Sequence, residues 1–287
     1  MKIGFYTSIL GESSIEETIE WASHVGFESL EISAWPESKH MNLEMPPTLY
    51  DVKKKASKHG ITVSNLGYYP NNLEPNEERR AKHHKHLKAL IAAAGEAGVG
   101  IVSTFAGADP ERDFDGNIRD FVDTFGPIAD LAKQVQVRIA LENSPMVHRG
   151  MPTNIAYSPQ NWAIMFKELG AENVGLELDP APLVWQWIDP VLAVSKFSRK
   201  ILVVHLKDTE ISKEKLNEVG TIGQGWWRYR LPGFGQIDWH GFLGALANAG
   251  FQGCMNIEHE DPVYSGREER SKEGLVEALA YVKKSMK

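Results

Sequence analysis

Short apolar runs alternate along the chain with longer segments in which apolar residues recur every three or four positions. The short runs predict buried strands, and the longer segments, such as residues 15–25 and 87–97, predict amphipathic helices. Eight strands follow from this pattern, at residues 2–6, 29–32, 61–64, 100–104, 137–141, 174–178, 201–204 and 253–257. Single glycines shortly before five of the strands indicate where a helix ends, at Gly26, Gly60, Gly98, Gly170 and Gly250.

The alternation of strands and helices predicts parallel strands covered by helices. Eight β/α units of this size close most economically into a single (β/α)8 TIM barrel, so we expect an α/β fold with one domain over residues 1–287. A doubly wound open sheet is the main alternative, but no glycine-rich phosphate loop follows the first strand. Two long connections, residues 143–157 and 208–236, leave the carboxyl ends of strands, where barrel active sites lie.

Four predicted strands end in an acidic residue or a histidine, namely Glu142, Asp179, His205 and Glu258. Burying an unpaired carboxylate is unfavourable unless another group offsets its charge. Because the strands of a barrel end at a common face, these side chains predict a site for one divalent metal ion. Three carboxylates and one imidazole favour Mn²⁺, with Mg²⁺, Co²⁺ and Zn²⁺ as alternatives. In the competing interpretation, some of the four only end strands or pair with Lys and Arg.

Composition and charge narrow the class of protein. The 287 residues are 42% hydrophobic and 24% charged, which is typical of a globular protein. A formal net charge of −7 argues against a nucleic-acid partner, because non-specific binding needs Lys and Arg to neutralise phosphates. The single cysteine, Cys254, cannot form an intrachain disulfide, and we find neither a secretory leader nor an apolar stretch that would span a membrane. We therefore expect a cytoplasmic protein without a membrane partner.

Six segments carry a distinctive combination of residues, at 66–73, 141–146, 178–186, 204–211, 225–235 and 257–262. Together they resemble the sugar phosphate isomerase/epimerase family of the xylose isomerase-like TIM barrel superfamily, over nearly the whole chain. The resemblance implies that the four strand-end residues named above hold one divalent ion. The family pattern beside Asp179 usually reads Asp-Pro-x-His, whereas this chain has Pro182 at the fourth position. Since proline can neither ligate a metal nor donate a proton, the usual substrate contact is expected to be missing.

The resemblance also implies a reaction, which is proton transfer at the carbon next to a carbonyl through an enediolate stabilised by the metal. Glu142 and Glu258 would then act as acid and base while also serving as ligands. This predicts an isomerase or epimerase acting on a keto sugar or related polyol. A lyase or dehydratase on a keto-inositol or 3-oxo-glycoside would use the same residues. A non-catalytic sugar-binding barrel is a further hypothesis because of Pro182, and the acidic charge disfavours an abasic-site endonuclease with this fold.

Two arginines are candidates for substrate binding. Arg228 and Arg230 precede the segment 232–235, near which members of the family often place a substrate-binding arginine. A guanidinium offers a planar fork for the oxygens of a polyol or a phosphate. The alternative interpretation is a salt bridge to an acid in the same loop.

Other side chains are also candidates for contact with a small sugar or polyol. Trp227 would supply an apolar wall for sugar C–H groups. Lys207 follows His205 by two residues and should share its face of the strand. Tyr6 ends the first strand, and His148 lies in the first long connection. Exposed aromatic residues in the second long connection would either cover the site or pack on another subunit, so a homo-oligomer stays open.

The remaining histidines are not expected to belong to the functional site. His83, His84 and His86 lie in a polar helical stretch, which predicts a solvated helix face. His240 opens a helix and is expected to have a structural role.

Overall fold

The computed structural model describes residues 1–44, 47–148 and 151–287, and of His148 it describes the backbone alone. The described strands are β1 (Lys2–Tyr6), β2 (Ser29–Ser33), β3 (Thr62–Gly67), β4 (Ile101–Thr104), β5 (Arg138–Glu142), β6 (Val147–His148), β7 (Met151–Pro152), β8 (Val174–Leu178), β9 (Ile201–Leu206), β10 (Asp208–Ile211), β11 (Trp227–Arg230) and β12 (Cys254–Ile257). The described α-helices are α1 (Ile15–Val25), α2 (Leu49–Lys58), α3 (Glu77–Ala97), α4 (Phe114–Gln134), α5 (Pro159–Leu169), α6 (Ala181–Trp185), α7 (Pro190–Phe197), α8 (Lys213–Val219), α9 (Trp239–Asn248) and α10 (Glu268–Ser285).

Eight of the strands form a closed parallel barrel in the order β1-β12-β9-β8-β5-β4-β3-β2. β1 pairs with both β2 and β12, so the sheet closes and leaves no edge strand. Each strand predicted from the apolar runs overlaps one barrel strand. The predicted (β/α)8 TIM barrel is therefore confirmed.

Local sequence signals explain where the covering helices begin and end. In α1, the hydroxyl of Ser14 accepts from the backbone N–H of Glu17, while the Glu17 carboxylate accepts from the backbone N–H of Ser14. The helix ends at Gly26, whose φ of 95° lies in the left-handed region that glycine adopts without strain. Gly98 ends α3 in the same way at φ 69°. The glycines predicted to mark the return to a strand have this role.

The barrel interior contains a hydrogen-bonded polar layer. The side chains of Asn65, Ser103 and Glu177 are linked across β3, β4 and β8. On the other side, Asn256 of β12 donates to Glu31 of β2 at 3.3 Å. All five side chains are fully buried, so the interior near the strand ends is polar and cross-linked rather than filled with aliphatic layers.

Both long connections carry secondary structure that the apolar pattern did not predict. The first contains the antiparallel pair β6–β7. In the second, β10 pairs with β11 in antiparallel register, and α8 lies between them in the chain. A single residue, Lys207, separates the end of β9 from the start of β10, so β10 follows the barrel strand almost directly and pairs outside the barrel. None of the described helices has the length and apolar character needed to cross a bilayer.

Candidate metal centre

The four side chains predicted from strand ends meet at the carboxyl face of the barrel. Glu142 ends β5, Asp179 follows β8, His205 lies in β9, and Glu258 follows β12. One ligand atom from each lies within 4.8 Å of the others. The side chains are buried or nearly so, and that of Glu258 is 13% exposed. The positions are set by the strands, because parallel barrel strands deliver their last residues to one face.

The imidazole of His205 separates two sets of carboxylates. Its Nδ1 lies 3.1 Å from Glu258 Oε2 and 3.6 Å from Glu142 Oε1. Its Nε2 lies 2.9 Å from Glu31 Oε2 and 3.2 Å from Glu177 Oε1. We call Glu142, Asp179 and Glu258 the outer group, and Glu31 and Glu177 the inner pair.

Within the described part of the chain, one oxygen of the outer group and the His205 nitrogen that faces this group lack hydrogen bonds. Among the described residues, neither His205 Nδ1 nor Asp179 Oδ2 has a hydrogen-bond partner, although both are buried. The Nζ of Lys207 lies 2.9 Å from Asp179 Oδ2 and makes an ion pair with it. The contacts of these two atoms are ion pairs, Asp179 Oδ2 with Lys207 and His205 Nδ1 with Glu258, so pairing with a lysine, the competing interpretation, is present for Asp179. Carboxylate oxygen and imidazole nitrogen are also the ordinary ligands of a divalent cation. The residues present therefore fit a divalent metal ion.

The inner pair could also hold a cation together with His205, but its oxygens already have protein donors. The hydroxyl of Tyr69 lies in hydrogen-bonding contact with both inner carboxylates, at 2.6 Å from Glu177 Oε2. Asn65 donates to Glu177 at 3.1 Å. A carboxylate that faces the far nitrogen of a ligating histidine fixes the orientation of the ring. We therefore assign the inner pair to holding His205 with Nδ1 toward the outer group.

Burial and neighbouring charges shift the pKa values of the outer group in different directions. Burial raises the pKa of Glu142 to about 7, and the nearby Glu258 carboxylate adds to this shift. Burial also raises the pKa of Asp179. For Glu258, burial alone would raise the pKa, but Lys207 and His205 outweigh it and hold the pKa well below the usual range.

Lys207 connects the outer group to the solvent side of the barrel. Its Nζ lies 2.5 Å from Glu258 Oε2 and 3.5 Å from Glu260 Oε2. It also lies 4.3 Å from the centre of the Tyr229 ring. Burial would lower the pKa of Lys207, but the surrounding carboxylates, Asp179 foremost, raise it well above its usual value. The ammonium group is thus charged and held directly beside the predicted ligands.

A cavity of about 660 Å³ opens beside this lysine. The described residues that line it are Asn71, Glu74, Ser144, Pro145, Met146, Val147, Thr153, Trp185, Trp227, Tyr229 and Glu260. Trp227 therefore lies in a cavity wall. The ring of Tyr6 lies instead beside His205, with ring centres 6.5 Å apart, and its buried hydroxyl has no hydrogen-bond partner among the described residues. A substrate contact for either residue stays a prediction.

The two candidate arginines have acidic partners. Successive side chains of a strand point to opposite faces, and Trp227 and Tyr229 line the cavity, so Arg228 and Arg230 lie on the other face of β11. Arg228 makes a two-nitrogen contact with Glu210, at 3.0 and 2.9 Å. Arg230 donates to Asp261 at 2.8 Å and also contacts Glu210. The salt bridges of the alternative interpretation are present, and a direct substrate contact for either arginine stays a prediction.

The structure adds two residues that the sequence interpretation missed. Glu177 belongs to the inner pair, and its position two residues before Asp179 on one strand was a usable signal, because alternate residues share a face. Trp185 stacks on Trp227 with ring centres 4.6 Å apart and planes 4° from parallel. Its contact depends on α6 meeting β11, for which the sequence gives no local signal.

Other predictions near the site have mixed outcomes. The side chain of His148 lies outside the described residues. Pro182 is buried within α6, so the position that usually carries a histidine is part of a helical turn. The solvated face predicted for the α3 histidines is wrong. One nitrogen of each ring pairs with a backbone carbonyl, that of His83 with Asn71, that of His84 with Asn72 and that of His86 with Ala34.

Fold and site together define a (β/α)8 barrel with an acidic, histidine-containing cluster at its carboxyl face. The chain belongs to the xylose isomerase-like TIM barrel family, whose model matches residues 19–284. The predicted family resemblance is thus confirmed.

Individual relatives are similar at lower identity. The uncharacterized protein YfiH of Bacillus subtilis (strain 168) is 25% identical over 301 aligned positions, covering 91% of this chain and 93% of YfiH. The structure of D-psicose 3-epimerase with D-tagatose from Clostridium cellulolyticum H10 has a TM-score of 0.77 at 19% identity and covers both chains completely. The structure of the IOLI protein with a bound zinc atom has a TM-score of 0.74 at 21% identity, covering 99% of this chain and 96% of IOLI.

Proposed function

We propose that the protein is a divalent-metal-dependent isomerase or epimerase that moves a proton next to the carbonyl of a keto sugar or related polyol. The observation that carries this proposal is the convergence of Glu142, Asp179, His205 and Glu258 with two buried polar atoms left without hydrogen bonds. Family membership and the similarity to a structure of a sugar epimerase support it.

The four converging residues would hold the cation, with Mn²⁺ favoured by the oxygen-rich donor set. A divalent ion bound there would polarise a carbonyl and an adjacent hydroxyl of the substrate and so ease loss of the neighbouring proton. Among the described residues, the inner pair supports this site by orienting His205.

Glu142 and Glu258 are the proton-transfer groups in this proposal. They extend from different strand ends, β5 and β12, and both approach the Nδ1 side of His205. One carboxylate oxygen removes the proton from carbon, and the other carboxyl group returns a proton. Return to the opposite face of the same carbon gives an epimerase, and return to the neighbouring carbon gives an isomerase. Loss of a β-hydroxyl after proton removal would give the dehydratase alternative.

Lys207 and the cavity walls would position the substrate. The ammonium of Lys207 can donate to a substrate oxygen while its other donors stay with Asp179 and Glu258. Trp227 offers an apolar surface to C–H groups and excludes water on that side. The described cavity lining contains the carboxylates of Glu74 and Glu260 and neither Lys nor Arg, which favours a neutral polyol over a phosphate ester.

Solvent deuterium exchange tests this function. Mn²⁺-loaded protein in D₂O should introduce deuterium into at least one member of a panel of ketoses and keto-inositols, as detected by mass spectrometry. Glu258→Gln should slow this exchange at least about 100-fold, because it removes a proton acceptor. Glu214→Gln, on the exposed side of α8, is the matched control and should exchange like the wild type.

Two results would count against the proposal. Full exchange by the Glu258→Gln protein would remove Glu258 from its role as a proton-transfer group. Absence of exchange across the panel, with Mn²⁺ shown to be bound, would overturn the isomerase or epimerase activity on these substrates.

A further inference from the structure

The buried side-chain amide of Asn143 links the two strand ends that carry Glu142 and Asp179. We infer that Asn143 is a positioning residue for the metal centre, which ties Asp179 to the strand end of Glu142 and so makes the site selective for a small divalent cation. This inference rests on the proposed function, because it takes the outer group as the site of the cation.

The contact between Asn143 and Asp179 is the first argument. The amide nitrogen of Asn143 donates to the backbone carbonyl of Asp179 at 2.9 Å, and its side-chain oxygen accepts from the backbone N–H of Asp179 at 2.7 Å. The pairing of β5 with β8 ends at Glu142 and Glu177, so Asp179 lies two residues beyond the last pair. A primary amide offers a donor and an acceptor side by side, as a peptide group does. The Asn143 side chain thus continues the pairing of these strands past their ends.

The surroundings of Asn143 are the second argument. The carbonyls of Glu142 and Ser144, on either side of it in the chain, accept from the side-chain amide of Asn154 at 2.9 and 2.7 Å. The side-chain oxygen of Asn154 in turn accepts from the backbone N–H of Gly107 at 3.2 Å, in the connection after β4. Both asparagine side chains are fully buried. The backbone that carries the Asn143 amide is therefore fixed on both sides.

The side chain of Asp179 is the third argument. Its Oδ1 accepts from the backbone N–H of Ala181 at 2.9 Å, at the start of α6. Because Asn143 holds the backbone and Ala181 holds Oδ1, the carboxylate keeps one orientation. Its Oδ2 then stays beside Lys207, which also contacts Glu258. Replacing a residue that orients a metal ligand commonly lowers metal affinity about 10- to 100-fold, and Asn143 has this relation to Asp179.

The rigidity of the ligands has a consequence for the choice of cation. Ca²⁺ accepts oxygen ligands at about 2.3–2.6 Å in a flexible arrangement, whereas a small ion such as Mg²⁺ needs ligands at about 2.0–2.1 Å in near-ideal geometry. Two carboxylates whose backbones are tied together cannot readily spread to suit a larger ion. Since Mn²⁺ is smaller than Ca²⁺, loss of the Asn143 contact should lower the affinity for Mn²⁺ more than the affinity for Ca²⁺.

The chain contains a matched control for this contact. Asn117, also buried, donates to the backbone carbonyl of Asp109 at 3.0 Å and accepts from its backbone N–H at 2.7 Å. This repeats the contact between Asn143 and Asp179, but Asp109 is not among the described residues that could hold a cation together. Asn143→Ala and Asn117→Ala should therefore both lower the free energy of unfolding, and only Asn143→Ala should change metal binding.

Calorimetric titration of the whole protein with MnCl₂ and with CaCl₂ tests the inference, and urea unfolding measures the stability of each variant. Asn143→Ala should bind Mn²⁺ about 10- to 100-fold more weakly than the wild type, with a smaller loss for Ca²⁺. Asn117→Ala should bind both ions like the wild type. Wild-type Mn²⁺ affinity in Asn143→Ala would overturn the inference. An equal loss of affinity for the two ions, or an equal loss in the two variants, would do the same.

A second variant covers the case in which Asn143→Ala does not fold, as checked by circular dichroism. Asn143→Ser keeps a hydroxyl that can pair with one of the two buried backbone groups, and the same shift in preference from Mn²⁺ toward Ca²⁺ is expected. Failure of both variants to fold would make Asn143 a residue of the fold alone and so contradict its assignment to the metal centre.

The inference and the proposed function can fail separately. The expected change in metal affinity without deuterium exchange in any substrate would support the inference and count against the function. Exchange by the wild type, together with wild-type affinities in Asn143→Ala, would keep the function and remove the inference. Absence of Mn²⁺ binding by the wild type would overturn both.

Discussion

The two carboxylate clusters around His205 differ in how their polar atoms are satisfied. The inner pair accepts hydrogen bonds from Tyr69, Asn65 and Asn256. In the outer group, Asp179 Oδ2 has no hydrogen bond among the described residues, and neither has the Nδ1 atom that His205 turns toward it. Both clusters are buried and acidic, so acidity alone does not identify a metal site. Within the described ranges, Asp179 Oδ2 and His205 Nδ1 have ion-pair contacts alone, with Lys207 and Glu258, and this favours the outer group over the inner pair as the cation site.

The largest effect should follow removal of an outer carboxylate. Asp179→Ala should lower Mn²⁺ affinity by more than about 100-fold, because loss of a direct ligand exceeds the effect of losing an orienting partner. Calorimetric titration with MnCl₂ measures the affinity, and circular dichroism checks the fold. Asp130→Ala, at an exposed position of α4, should bind like the wild type. Unchanged affinity in Asp179→Ala would place the cation elsewhere.

An intermediate effect is expected from the inner pair. Glu177→Gln keeps the shape of the side chain but removes the carboxyl group that faces His205 Nε2, so Mn²⁺ affinity should fall about 10- to 100-fold. Glu172→Gln, an exposed change shortly before β8, is the matched control. The same titration provides the measurement. A loss as large as that of Asp179→Ala would make Glu177 a direct ligand and remove the distinction between the clusters.

The smallest effect concerns a buried histidine with neutral partners. The ring of His40 contacts the hydroxyl of Thr7 and the carbonyls of Leu10 and Ser13, and burial lowers its pKa below 6.5. Because the folded protein then binds fewer protons than the unfolded chain, this histidine destabilises the fold as the pH falls below about 6.5. His40→Asn should reduce the loss of stability between pH 7.5 and 5.5, measured by urea unfolding. An identical pH dependence in both proteins would contradict the neutral assignment.

The sequence predicted the barrel and its converging residues because strand ends are a local signal. An apolar run shows where a strand stops, and barrel topology then brings the stopping points together. Glu177 carried the same kind of signal within β8, where alternation with Asp179 indicated a shared face.

The remaining site residues depend on contacts that no short segment specifies. Arg228 and Arg230 alternate with Trp227 and Tyr229, so one pair had to face the cavity, but only the packing of β11 decides which pair. Trp185 and Trp227, which stack on each other, lie 42 residues apart in the chain. Such pairings follow from the assembled fold, and local patterns of polarity do not reveal them.

Pro182 has a consequence for the thermodynamics of ligand binding. It lies in the first turn of α6, where the fixed φ of proline already suits a helix, and its carbonyl accepts from the side-chain amide of Gln186 at 2.8 Å. Proline also restricts the unfolded chain, so the turn that carries Trp185 loses less conformational entropy on folding. The wall of the cavity is therefore ordered before a ligand arrives. A ligand that contacted this wall would therefore not have to order a loop there.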